Sequence, residues 1–99
     1  MPKIKVTAAN VGQTIATGGT LKAVLFLKAP TEYRRPFHLV DDAHPGAPRS
    51  LFCEDVSTSW RIPGPHPLYS HELLSNDVAF GKLTLADCPA GAQFEILYL

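Results

Sequence analysis

Apolar and polar residues along this chain fall into short runs that alternate or cluster. The longest unbroken apolar run, Ala23-Val24-Leu25-Phe26-Leu27, lies within residues 20–28, with a lysine near each end, Gly18-Gly19 before it and Pro30 after it. So short a run between chain breakers predicts a strand buried on both faces. Lys3-Ile4-Lys5-Val6-Thr7-Ala8 alternates strictly and predicts a half-buried strand with a basic outer face. Asn10 and Gly12 suit a turn, and residues 13–17, rich in β-branched side chains, suit a short strand. Gly18-Gly19 then reads as a tight turn, so residues 1–28 predict a three-stranded meander.

The rest of the chain is more punctuated. Pro30 and Pro36 take residues 29–36 out of the sheet as a crossing or polyproline-like edge segment. Residues 37–40 predict a short strand, 41–50 a loop around Pro45, Gly46 and Pro48, and 51–56 another strand that 57–62 continue past a bend. Pro63-Gly64-Pro65-His66-Pro67 is the strongest breaker, which no regular element should cross. Residues 69–74 are the one place for a helical turn, with Ser70 as its N-cap. Residues 78–85, with Gly81 as a bulge, and 93–98 predict a closing hairpin joined by the loop 86–92. Leu99 should be paired in the sheet or docked on a neighbour. Strands without intervening helices predict a single all-β domain over residues 1–99, a small antiparallel sandwich or barrel with long Pro/Gly-rich loops and at most one short helical turn.

Composition adds to this picture. At 99 residues the chain can bury a core without staples. Charged residues make up 18%, below the usual ~25%, and nine prolines are about twice the usual share, which fits strands, turns and a partly covered surface. Net charge is zero but unevenly placed. Residues 1–35 carry Lys3, Lys5, Lys22, Lys28, Arg34 and Arg35 against Glu32, whereas residues 36–99 carry eight acids against Arg49, Arg61 and Lys82. Interleaving of the two parts would mix these charges, and segregation would favour charge-guided contacts. Cys53 and Cys88 lack metal or redox spacing and read as free, buried thiols of a reducing compartment. The absence of a leader or an 18-residue apolar run places the chain in the cytoplasm or a virion, away from membranes.

Candidate chemistry is sparse. Met1-Pro2, followed by Ile4 and Val6 on an alternating strand, resembles the opening of the tautomerase superfamily. That resemblance implies an N-terminal proline amine acting as general base, with a long helix after the first strand. Gly12, Gly18-Gly19 and the β-branched residues between them do not supply such a helix. His38, Asp41, Asp42 and His44 are the densest set of metal-ligand types, with His66 and His71 elsewhere, but they lack paired-strand ligand spacing, and no metal or cofactor is assigned. There is no nucleophile elbow or phosphate-cradling loop. Tyr33-Arg34-Arg35 with Lys22 and Lys28 would suit single-stranded nucleic acid, yet the pI near 7 argues against it.

Aromatic residues and arginine anchor interfaces, which singles out Tyr33, Arg34, Arg35, Trp60, Tyr98 and Leu99 as interface candidates. The expectation is a non-enzymatic structural subunit with protein partners, a homo-oligomer or a component of a virus or phage particle. The alternatives are a Pro2 enzyme of tautomerase type and a small metal- or ligand-binding barrel.

Overall fold

A computed structural model describes residues 2–31, 35–44, 46–55, 66–70 (backbone) and 78–99. Its strands are β1 (Lys3–Val6), β2 (Thr14–Lys28), β3 (Phe37–Asp41), β4 (Arg49–Glu54), β5 (His66–Ser70), β6 (Val78–Asp87) and β7 (Gln93–Tyr98). Every pairing is antiparallel, in the order β1-β7-β2-β6-β3-β4, with β5 also on β2. The all-β class expected from the pattern is what forms. Among the described residues the only helical element is a 3-10 turn at Ala8–Asn10, and no helix is long and apolar enough to cross a membrane. Thr7 caps that turn: its Oγ1 accepts from the Ala9 N–H, and its own N–H donates to Asn10 Oδ1.

β2 organises the fold, in a different way from the sequence reading. Residues 13–17 and 20–28 are not two strands joined by a Gly18-Gly19 turn; from Thr14 to Lys28 they form one strand of 15 residues. Gly18 has the expected positive φ of 64°, but the chain does not reverse there, and its register with β6 runs regularly from Thr17 to Gly19. A straight strand of this length would span about 48 Å, more than the molecule's longest dimension of 35 Å. The connection after β6 points the same way. Leu85 exchanges hydrogen bonds with residues 12 and 13, just before β2 starts, while Gln93 sits opposite Lys28 at its far end. The chain from Leu85 to Gln93 joins these places and reaches about 28 Å at most, well short of the length of a straight β2. β2 therefore folds the sheet back over itself.

That bend explains two further departures. β1 and β2 are not neighbours, because β7 lies between them. β6 and β7 do not form a hairpin, because each pairs with a different edge of β2. β5 and then β6 run along one edge of β2, with Phe26 opposite His66 and Leu21 opposite Val78, while β7 runs along the other.

The core lies inside the fold-back. Val6, Phe94 and Phe26 are in register across β1, β7 and β2, as are Ile4, Ile96 and Val24. A bulge between Leu21 and Ala23 shifts the alternation, so Leu21, Val24 and Phe26 all face inward and are at most 2% exposed. Leu25 and Leu27 are half-buried, so the run is less completely covered than the reading of a strand buried on both faces implied. Phe37 of β3 stacks on Phe94 of β7 with ring centroids 3.9 Å apart, although these strands are not neighbours in the sheet.

Other boundaries also move. β3 runs through Asp41 and β4 starts at Arg49, which trims the expected 41–50 loop to 42–48. β5 includes His66 and Pro67 from the expected breaker, and Tyr69 and Ser70 from the expected helical turn. A strand tolerates proline where no neighbour needs its N–H, and β5 pairs only with β2 among the described residues. Gly81 makes no bulge: the register with β2 is regular there, and a Cβ would meet Ala43 Cβ at 2.7 Å.

Candidate functional site

The functional residue types gather on the β6–β3–β4 part of the sheet. His38 of β3 stands opposite Cys53 of β4 on one side and Asp87 of β6 on the other, so the three form a row across three strands. Directly opposed residues in antiparallel strands have their Cβ atoms ~5 Å apart and share a face. His38 is half-buried and points away from the core that Phe37 and Leu39 fill. Its Nε2 and Ser50 Oγ share a hydrogen bond of 2.9 Å. Arg35 reaches Asp87 at 3.5 Å, and Asp87 Oδ1 accepts the Cys88 N–H.

Cys-His-Asp in a row suggests nucleophilic chemistry, and the electrostatics argue against it. A reactive thiol needs its pKa lowered by positive surroundings. The Cys53 thiol is pushed up, first by partial burial and then by the charges of Asp55, Glu54 and Asp87. Cys53 is exposed, contrary to the buried thiol expected, because the outer face of β4 has no cover among the described residues. Cys88 is buried as expected, and burial with the nearby Asp87 pushes its pKa to about 11.

Asp41 has a different task from metal binding. Its carboxylate accepts the backbone N–H groups of Lys82 at 2.9 Å, Gly81 at 3.1 Å and Ala43 at 3.2 Å, with Arg49 Nη2 at 3.3 Å. These donors, led by Lys82 and Gly81, hold its pKa below the ordinary 3.8. Arg49 also donates to the Ala79 carbonyl at 2.6 Å, so the pair ties β3, β4 and β6 together. With its oxygens committed in this way, Asp41 is a structural anchor. Among the described residues, no three His, Cys, Asp or Glu side chains come together as a group that could hold a metal.

Of the expected interface residues, Arg35, Tyr98 and Leu99 are described. Tyr33, Arg34 and Trp60 lie outside the described residues. Arg35 is engaged with Asp87, and Tyr98 is half-buried against the core. Leu99 is paired, as one of the two expectations had it: its N–H and carbonyl both bond Thr20 at 2.9 Å, while its side chain is 56% exposed. Gly19 makes room for this end, since a Cβ there would collide with the Leu99 carbonyl oxygen. Pro2 is exposed at the head of β1, its carbonyl accepting the Tyr98 N–H. The long helix that the tautomerase resemblance implies has no counterpart among the described residues, where the 3-10 turn follows β1 instead.

What the fold does arrange is charge. The β1–β7–β2 part carries Lys3, Lys5, Lys22 and Lys28 against Glu95, three positive charges in excess. The β6–β3–β4 part with its flanks carries Asp41, Asp42, Glu54, Asp55 and Asp87 against Arg35, Arg49 and Lys82, two negative charges in excess. Among the described residues the first three strands of the order are thus net positive and the last three net negative, each with charges of the other sign among them. Compared with family models, curated proteins and solved structures, the chain matches none.

Proposed function

We propose that this chain is a non-enzymatic assembly subunit, a small β domain that contacts further copies of itself, as subunits of virus or phage particles and other large assemblies do. The observation that carries the reading is the imbalance of charge along the sheet among the described residues, net positive over β1, β7 and β2 and net negative over β6, β3 and β4 with their flanks. A molecule polarised in this way attracts the opposite end of its neighbour, and a head-to-tail contact satisfies both. The state of the nucleophiles supports the same reading: the Cys53 thiol is pushed up by partial burial and then by nearby carboxylates, and Cys88 is buried. The bend in β2 and the stacking of Phe37 on Phe94 support the finer architecture of a sandwich or barrel closed around that core.

Light scattering coupled to size exclusion, over a wide range of protein concentration, tests the proposal. Assembly predicts a mass that rises with concentration through multiples of the 10.8 kDa chain. A single-chain mass at every concentration would remove it.

A further inference from the structure

We propose that β1 of one copy adds as an antiparallel strand beside β4 of the next, bringing Lys3 and Lys5 to the acidic C-terminal end of β4, where Asp55 lies on their face of the sheet, so that the sheet continues from molecule to molecule. This rests on the assembly reading above and names the surfaces that carry it.

Four observations converge. β1 and β4 terminate the strand order, and among the described residues each has a neighbour on one side only. The backbone of β1 is also set for pairing. Tyr98 N–H donates to the Pro2 carbonyl at 3.1 Å, which makes Pro2 and Tyr98 a hydrogen-bonded pair. Such pairs alternate along an antiparallel ladder. Ile4 opposite Ile96 is therefore the next bonded pair, and the N–H and C=O groups of Lys3 and Lys5 point to the open edge.

Direction agrees as well. Six strands in an all-antiparallel path leave β1 and β4 running oppositely. A second copy added in the same orientation thus presents an antiparallel partner, and the contact repeats without a twofold axis.

Charge then selects the pairing. β1 carries two exposed lysines and no acid, whereas β4 begins at Arg49, which is tied to Asp41, and ends at exposed Glu54 with exposed Asp55 after it. Edge lysines ordinarily guard a strand against a like edge. Here they disfavour β1 on β1, whereas the mixed contact sets them beside carboxylates.

Lys5→Pro removes the outward N–H while sparing the β1–β7 ladder. Light scattering on this variant should give single-chain mass at concentrations where the parent is assembled. Because proline can disturb the strand, the double variants K3E/K5E and E54K/D55K form a second test. Each alone should self-associate on the order of tenfold more weakly or worse, and an equimolar mixture should recover assembly, since both mixed edges are again complementary. If the parent assembles and all three variants assemble equally well, this contact is wrong while the assembly reading stands. If the mixture stays monomeric although each variant is folded, the contact is also wrong. A parent that never assembles overturns both.

Discussion

The two halves of β2 sit in parts of the sheet held together by different means. Its C-terminal half, with β1 and β7, is bound by apolar rows in register, Val6–Phe94–Phe26 and Ile4–Ile96–Val24. Its N-terminal half pairs with β6, which together with β3 and β4 adds a polar tie to its apolar contacts: one carboxylate, Asp41, gathers three backbone donors and an arginine. Apolar burial does not depend on pH, whereas a carboxylate whose pKa is depressed by the fold stabilises only while it is ionised. One part of the molecule should therefore be indifferent to acid and the other sensitive to it.

The comparison breaks most severely at Phe94, where Phe26 and Phe37 meet it from two strands. Phe94→Ala should remove about 3–5 kcal/mol, a large share of a small domain's stability, read by chemical denaturation. Next comes Gly19→Ala, whose Cβ must displace the paired Leu99 carbonyl. A destabilisation of about 1–3 kcal/mol is expected, with loss of amide-exchange protection centred on Thr20 and Leu99.

Asp41→Asn probes the polar tie. The folded pKa lies below 3.8, so the stabilisation is complete above that value and is lost as pH falls from 3.8 through the lower folded value. The variant should melt several degrees lower at neutral pH and show a flatter acid limb than the parent; parallel acid limbs would contradict the assignment. The smallest effect concerns the thiols. Native protein should label at Cys53 only, more slowly than an ordinary exposed thiol, and at Cys88 only after unfolding. Equal labelling rates would contradict the burial difference.

How much of this was legible in sequence follows from the range of each interaction. Alternation identified β1 and β7, and the apolar run marked the part of β2 that reaches the core, because side-chain period is a local property. Pairing is not local. Gly18-Gly19 reads as a turn because glycine permits a reversal, yet a long-range contact with Leu99 uses the absence of a side chain instead. The row Cys53–His38–Asp87 depends on bulges in β3 pairing that leave no residue signature. Asp41 looked like a metal ligand beside His38 and His44. Two of its actual partners, the Gly81 and Lys82 amides, lie 40 and 41 residues away in sequence and act through their backbone. Charge asymmetry is visible as a number, but only the strand order shows that among the described residues its net sign differs between the β1–β7–β2 and β6–β3–β4 parts.

The central claim is that this separation of charge drives assembly, and sedimentation velocity across ionic strength tests it most directly. Screening lengths shrink from about 30 Å at 0.01 M to about 3 Å at 1 M salt. The account predicts species of several chains at low salt that dissociate to the 10.8 kDa chain as salt rises. A monomer at every salt concentration, or assemblies that strengthen with salt, would contradict it.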